Sequence, residues 1–139
     1  MQVEQRFWDK VGDHSDPNAC WLWHAGTIKS GKLRYGQINI NNRCVLAHRF
    51  AYELLIGPIP KGMTLDHVKA RGCSSTLCVN PAHLEVVTLK SNILRGEGPW
   101  AINARKTHCK RGHQFTKENT YRRPDGTRYC IACGRERSR

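Results

Sequence analysis

The residues best suited to chemistry lie near the middle of the chain. Asp66 and His67 place a carboxylate beside an imidazole, and Asn92 follows at the opening of a predicted helix. A neutral imidazole near pH 7 can take a proton from water, and the oxygens of Asp and Asn are ligands for a hard divalent cation. Metal-assisted hydrolysis of a phosphodiester needs this set, with His67 as the base and Asp66 and Asn92 as the cation ligands.

A zinc-type ligand set lies between these candidates. Cys73, Cys78 and His83 are each separated from the next by four residues. Structural zinc takes four ligands, mostly Cys and His, so a fourth is needed, and the candidates are Cys20 and Cys44. No secretory signal is recognisable at the start of the sequence, and seven cysteines in a cytoplasmic chain favour metal over disulfides.

A second ligand set lies near the C-terminus. Cys109 and His113 form one pair, and Cys130 and Cys133 form another. Residues 121–129 between them carry a Pro-Asp-Gly turn and predict a hairpin. This order predicts a Cys3His zinc site of treble-clef or ribbon type, followed by a basic helix. We expect its Arg and Lys side chains to contact phosphates.

The elements that must position these residues can be placed from local patterns. Apolar spacing predicts helices and alternation predicts strands, while Gly, Pro and Asn mark the turns. The predicted helices are residues 3–11, 47–56 and 89–95, the last capped by Thr88. The predicted strands are residues 20–23, 33–40, 44–46, 63–68 and 84–87, with an Asn41-Asn42 hairpin turn. Residues 26–32 and 69–81 are predicted loops, and residues 100–107 a basic linker.

The distribution of charged residues indicates what kind of molecule the chain binds. The formal net charge is +12, and residues 90–139 hold 13 Lys and Arg against 4 Asp and Glu. A basic surface concentrated in one part of a chain is typical of a protein that binds nucleic acid, and we expect double-stranded DNA. No apolar run reaches transmembrane length, so we expect no membrane contact and a cytoplasmic location. We predict one domain over residues 1–98, with its core at about 63–95, and a second over 99–139.

The central stretch resembles the HNH nucleases of the ββα-metal (His-Me finger) superfamily, and among them the phage-encoded homing type. The resemblance covers roughly residues 7–137. The matching motifs are Ala47-His48-Arg49, Gly57-Pro58-Ile59-Pro60, Leu65-Asp66-His67, Cys78-Val79-Asn80-Pro81-Ala82-His83-Leu84-Glu85 and Ser91-Asn92. The run of Cys73, Cys78, His83 and Asn92 is also similar to the His-Cys box homing endonucleases.

The resemblance implies an α+β fold. This would be a small zinc-stapled ββα-metal core with an N-terminal hairpin and helix platform, and a C-terminal zinc module. It implies His67 as general base, Asp66 and Asn92 as ligands of a catalytic Mg²⁺ or Mn²⁺, and two structural zinc ions. Cys20 lies in a Cys-Trp-x-Trp motif similar to one in the phage proteins, which favours it over Cys44. Asn80 would be structural.

One feature departs from the family pattern. In the phage relatives the first Cys of the pair usually follows the Asp by three positions, whereas Cys73 follows Asp66 by seven. The ligand spacing is intact, but the loop before it is longer, so the path of that loop is open.

The expected function is a metal-dependent HNH DNA endonuclease of nicking or homing type, leaving 5′-phosphate and 3′-hydroxyl ends. One site cuts one strand, and a monomer is favoured. The alternative is a non-catalytic, zinc-dependent DNA-binding regulator, for which Asp66, His67 and Asn92 would have no use. A third hypothesis, a structural zinc protein of a virion or ribosome, predicts a more evenly spread basic surface. The recognition sequence and biological role do not follow from the sequence.

Overall fold

The computed structural model describes residues 2–139 and has two compact units. The first ends at Asn92, and the second is Ile93–Arg139. The helices are α1 (Val3–Trp8), α2 (Ala47–Leu55), α3 (Leu89–Arg95), α4 (Pro99–Arg105) and α5 (Ile131–Arg137). The strands are β1 (Thr27–Ser30), β2 (Leu33–Ile40), β3 (Arg43–Leu46), β4 (Met63–His67), β5 (Leu84–Thr88), β6 (Thr120–Arg122) and β7 (Arg128–Cys130). Helices and strands are therefore mixed in an α+β fold, as the sequence predicts.

The platform of the first unit is an antiparallel sheet in the order β1-β2-β3. Strand β2 pairs with β3 through the predicted two-residue turn, where Asn41 and Asn42 have φ of 49° and 60°. Asn adopts positive φ more readily than most residues, and a turn with two positive φ values matches the twist of a hairpin. This hairpin prediction is confirmed.

Strand β1 corrects the prediction of a loop over residues 26–32. Residues 27–30 pair with β2, with Thr27 opposite Gly36 and Ser30 opposite Leu33. The segment is polar and its last three residues are exposed, so it lacks the apolar alternation from which a strand is predicted. Backbone pairing to the edge of β2 forms this strand, and no local signal reports such pairing.

The core of the first unit lies between α1, the platform sheet and α2. Phe7 and Trp23 are 0% and 2% exposed, and their ring centroids are 5.5 Å apart. Helix α2 contributes Ala47 and Ala51, both fully buried. Residues 22 and 23 form only isolated bridges, so the predicted strand over residues 20–23 is wrong. These aromatic side chains fix the platform against which the catalytic candidates pack.

Strands β4 and β5 form a separate antiparallel pair, and α3 follows β5 directly. Asp66 lies opposite Glu85, and His67 lies opposite Leu84. The Thr88 hydroxyl accepts a hydrogen bond from the backbone N–H of Ser91 at 3.1 Å, which is the predicted cap of α3. Two strands and a helix in this order are the predicted ββα arrangement.

The second unit is small and contains α4, the β6–β7 hairpin and α5. Helix α4 begins at Pro99, because a proline with its fixed φ suits the first helical position. The helix lies mostly within residues 100–107, which the sequence predicts to be a linker. Gly126 in the hairpin turn has φ of 87°, as the Pro-Asp-Gly sequence predicts. Over residues 2–139, no helix has the length and apolar character needed to cross a bilayer.

Gly36 gives a test of the packing. A Cβ at this position would lie 2.6 Å from Cδ1 of Trp23 and 3.0 Å from Cβ of Ala47. We expect Gly36→Ala to lower the free energy of unfolding by about 1–3 kcal/mol because it overpacks the core. Gly26→Ala is the matched control, since its added Cβ meets only ordinary contacts at 3.7 Å or more. Urea unfolding measures both, and equal stabilities would contradict the packing described.

Candidate active site and metal centres

The side chain of His67 is held by one backbone carbonyl. Strand β4 ends at His67, and the imidazole Nε2 lies 3.0 Å from the carbonyl oxygen of Cys78. A carbonyl only accepts hydrogen bonds, so Nε2 carries the proton and donates it. The lone pair of the neutral ring is then on Nδ1. Burial lowers the pKa of His67 below its ordinary value, which favours this neutral form.

Two aromatic rings from the platform pack against His67. His48 lies with its ring centroid 4.8 Å from that of His67, and Tyr35 lies at 6.1 Å. His48 is 5% exposed, and burial lowers its pKa to about 3, so it is uncharged at neutral pH. Its Nδ1 has no hydrogen-bond partner in the part of the chain that the structure describes. His48 therefore packs against His67 as a neutral ring.

An open cavity of about 390 Å³ adjoins these rings. Its lining includes Asn92 from α3, Tyr35 and His48 from the platform, and Lys29 from β1. Burial raises the pKa of the Tyr35 hydroxyl, and the Asp66 carboxylate raises it further, so that carboxylate lies close enough to Tyr35 to act on it. The structure thus brings the strand end with Asp66 and His67, and the helix with Asn92, to the same part of the first unit.

The adjacency of Asp66 and His67 is accommodated by the end of β4. Neighbouring strand residues point to opposite faces, and two adjacent side chains can serve one site only where the strand ends or bends. His67 is the last residue of β4, and the Lys69–Arg71 turn follows after Val68. The Gly-containing loop that comes next permits this strand end, which falls one residue before the predicted end at residue 68.

The first metal cluster lies beside the catalytic candidates. Cys20, Cys73, Cys78 and His83 each offer one ligand atom, and all four atoms lie within 4.8 Å of one another. Burial raises the pKa of Cys73 and of Cys78, the latter to about 12, so thiolates here need a compensating cation. Of the two alternatives for the fourth position, the structure places Cys20 in the cluster. Cys44 is exposed, and its thiol donates to Oε1 of Gln37 at 2.9 Å.

Buried side chains hold the segment that carries Cys20. The Asn80 amide donates to the carbonyl oxygens of Pro17 and Ala19 at 2.9 and 2.7 Å. His83 donates from Nε2 to the carbonyl of Asn18 at 2.9 Å. The carbonyls of residues 17–19 are therefore hydrogen-bonded to residues 78–83, the segment that carries the ligands Cys78 and His83. These bonds direct Nδ1 of His83 to the thiols and satisfy Asn80, which acts structurally.

The distances in the cluster suit a tetrahedral zinc. Nδ1 of His83 lies 3.6 Å from Sγ of Cys20 and 3.6 Å from Sγ of Cys78. A tetrahedron with Zn–S of about 2.3 Å and Zn–N of about 2.0–2.1 Å has S···N edges of about 3.6 Å. The donor chemistry and the spacing both fit, so these four residues could hold zinc.

The second cluster has the same composition and spacing. Cys109, His113, Cys130 and Cys133 have their ligand atoms within 4.8 Å of one another. Nδ1 of His113 lies 3.4 Å from Sγ of both Cys109 and Cys133, and 3.7 Å from Sγ of Cys130. These are also the edges of a zinc-sized tetrahedron, and this cluster could hold a second zinc.

A carboxylate orients His113. Nε2 of His113 lies 3.1 Å from Oε1 of Glu136, and Oε2 of Glu136 accepts from Arg111 at 2.7 Å. A histidine ligand that donates its second N–H to a carboxylate has its tautomer and ring angle fixed. Glu136 lies on α5 and has no place in the ligand pattern, which is why reasoning from Cys and His spacing missed it. Its separation of three residues from Cys133 on a helix is the signal that could have found it.

Tyr35 is a further functional candidate, whose contact with His67 the sequence motifs do not indicate. It lies on β2, far from the motif residues in sequence, and its proximity to His67 follows from the packing of the platform. His48 belongs to the Ala47-His48-Arg49 motif that resembles the HNH nucleases, and the structure shows it to be buried.

Comparison with known proteins assigns the central stretch. The sequence model of the HNH endonuclease family matches residues 45–93. Protein 7.7 of Escherichia phage T7 is 34% identical over 73 residues, which are 52% of this chain and 51% of that protein. Protein 2.8 of the same phage is 31% identical over 94 residues, 66% of this chain and 58% of that protein. The chain thus spans little more than half of these relatives, and no solved structure matches significantly. Residues 45–93, the segment that contains Asp66, His67 and Asn92, therefore match the HNH endonuclease family.

Proposed function

We propose that this chain is a metal-dependent HNH endonuclease that hydrolyses phosphodiester bonds of double-stranded DNA, by nicking, and leaves 5′-phosphate and 3′-hydroxyl ends. The observation that carries the proposal is the hydrogen bond from Nε2 of His67 to the Cys78 carbonyl, within the family-matched segment. Both curated relatives belong to a bacteriophage, which favours action in the cytoplasm of a bacterial host, as a nicking or homing enzyme.

His67 is the proposed general base. Because its Nε2 donates to the carbonyl of Cys78, Nδ1 is free to accept a proton from the attacking water. The neighbouring rings of His48 and Tyr35 restrict rotation of the imidazole, which keeps Nδ1 aimed in one direction. Preorganisation of this kind reduces the entropy cost of reaching the transition state.

Asp66 and Asn92 are the proposed ligands of the catalytic cation. Both offer oxygen atoms, which suit Mg²⁺ or Mn²⁺, and the set leaves room for phosphate oxygens. The cation would neutralise the charge that develops on the phosphate and on the 3′ leaving oxygen. Asn92 contributes a neutral oxygen from α3, so only Asp66 adds negative charge where the DNA phosphate must approach.

The charge of the hairpin formed by β1 and β2 supports DNA as the substrate. Residues 17–52 contain no Asp or Glu, whereas Lys29, Lys32 and Arg34 are exposed on or between β1 and β2. Lys29 also lines the cavity that contains Asn92. A two-stranded ribbon with cationic side chains can follow a DNA groove while its cations contact phosphates. We therefore propose that this hairpin holds the duplex beside His67.

The two Cys/His clusters are proposed structural zinc sites. In the cluster of Cys20, Cys73, Cys78 and His83, the thiol of Cys78 is a ligand while its backbone carbonyl accepts the hydrogen bond from His67. A zinc ion that fixes Cys78 would therefore also position His67. The cluster of Cys109, His113, Cys130 and Cys133 holds a unit with little apolar sequence of its own. Such units depend on metal for folding. Each cluster offers four protein ligands, so a bound zinc would have no open coordination position, as is usual for structural zinc.

Metal content tests the two zinc sites. We expect two zinc ions per chain in the wild type, and one in Cys78→Ser and in Cys133→Ser, because each substitution removes one ligand of a different cluster. Cys44→Ser is the matched control and should retain two, since Cys44 lies outside both clusters. Elemental analysis of the purified proteins measures this. Loss of zinc from the Cys44 variant, or a wild type with no zinc, would contradict the assignment.

The role of His67 is tested by cleavage of supercoiled plasmid with Mg²⁺ or Mn²⁺. We expect His67→Ala to lower the rate by at least about 10²-fold, in line with the loss of a general base, while DNA binding remains. His108→Ala is the control, because His108 is exposed and outside both clusters. Cleavage retained by the His67 variant would refute its role. Binding without any cleavage by the wild type would favour the regulator alternative.

The products test the geometry of the reaction. A monomer with one site should convert supercoiled plasmid to open circles first, with linear DNA appearing only later. The nicks should be sealed by DNA ligase without further treatment, because ligase needs a 5′-phosphate beside a 3′-hydroxyl. Linear DNA as the first product would show that two active sites act together. Nicks that ligase seals only after end repair would show that the other P–O bond is broken.

A further inference from the structure

A groove in the second unit has the composition of a phosphate site. Its volume is about 390 Å³, it is open to solvent, and residues of the β6–β7 hairpin form part of its lining. The lining consists of three cations, two hydroxyl groups and one aromatic ring: Lys117, Arg122, Arg128, Thr116, Thr120 and Phe115. No carboxylate contributes to the lining. A groove with cations and hydroxyls and no acid is suited to an anion with several oxygen acceptors.

Two of the cations face each other across the hairpin. Arg122 and Arg128 are direct partners in the register of β6 and β7, so both side chains lie on the same face. Like charges directly opposite each other destabilise a strand pair. An anion between them would remove this repulsion, and a guanidinium pair can offer a phosphate parallel N–H donors.

Arg128 is fixed in place. Its guanidinium donates to the carbonyl oxygens of Asn103 and Lys106, the latter at 3.0 Å. It also lies over the ring of Phe115, with 4.3 Å from Cζ to the centroid. These contacts leave its charge unneutralised, because carbonyls and a ring carry no net charge. The guanidinium of Arg128 therefore places a positive charge at a fixed position on one side of the groove.

Lys117 and Arg122 remain available. Both are exposed, and neither forms an ion pair with any residue in 2–139. Two acids of the second unit are engaged elsewhere, since Asp125 accepts from Thr127 and Glu136 accepts from Arg111. These two cations can turn toward a ligand without breaking an existing ion pair.

We propose that this groove binds a backbone phosphate of DNA, through Arg122 and Lys117 against the fixed charge of Arg128. The inference rests on the proposed function, in that DNA is the substrate, but it assigns the contact to a surface outside residues 45–93. Phosphate contacts fix position and carry no sequence information. The groove would therefore add affinity for any DNA sequence.

The matched control lies on the same hairpin. Arg123 follows Arg122 directly, so its side chain points to the opposite face, where Cζ lies 5.7 Å from the ring centroid of Tyr129. Arg122→Ala and Arg123→Ala remove the same charge from adjacent exposed positions. Any difference between them reports the groove and not the net charge.

The test is binding of the full-length, zinc-loaded chain to a labelled DNA duplex without added Mg²⁺, followed by fluorescence anisotropy over a range of salt concentrations. We expect Arg122→Ala and Lys117→Ala each to weaken binding roughly 5-fold near physiological salt and to reduce the slope of log K against log salt by about 1. Arg123→Ala should change both much less. Thermal unfolding confirms that each variant is folded.

Equal losses in the Arg122 and Arg123 variants would overturn the proposal, because general charge would then explain binding. A wild type that does not bind the duplex would overturn it as well. Cleavage is scored separately on plasmid. If the chain binds DNA with the expected difference between the Arg122 and Arg123 variants but does not cut it, the phosphate site is supported and the proposed nuclease function is contradicted.

Discussion

The geometry of the candidate active site depends on Cys78. Its side chain belongs to a four-ligand cluster, while its carbonyl oxygen accepts the only hydrogen bond described for the His67 ring within residues 2–139. The residue is fully buried, and its neighbour Val79 donates to the carbonyl of Trp21 at 2.8 Å. The backbone at this position is thus held by the platform on one side and by the Cys/His cluster on the other. An imidazole on an exposed loop would lack such a fixed partner, and its lone pair would have no set direction.

This dependence gives the metal cluster a role beyond stabilising the fold. The loop from residue 69 to residue 80 is long and contains little regular structure, so its path needs an external constraint. Cys73 and Cys78 supply it through the cluster, and Asn80 supplies it through the carbonyls of Pro17 and Ala19. The extra residues between Asp66 and Cys73 are accommodated by the turn Lys69–Arg71, which ends at Gly72 with φ of 90°.

Local features were predictable, and pairings between distant segments were not. The Asn41-Asn42 turn, α2 and the cap at Thr88 each follow from residue chemistry within a few positions. Strand β1 has no such signal, because its pairing to β2 is formed by backbone groups that every residue carries. The same limit applies to Cys20 and Cys44. Spacing alone admits either residue, and the choice is made by carbonyls of residues 17–19 that a sequence pattern does not show.

Most of the positive charge lies outside the segment that matches the HNH endonuclease family. Residues 45–93 hold five Lys and Arg against three Asp and Glu, so little of the net charge of +12 lies in the segment that matches the HNH endonuclease family. Affinity for DNA scales with the number of phosphates that cations neutralise, and so few charges cannot supply much of it. Residues 94–139, which belong to the second unit, hold 12 Lys and Arg against 4 Asp and Glu, so most of the net charge lies there. Under the proposed function, the HNH segment would therefore carry the chemistry, and the flanking segments would supply most of the affinity for DNA.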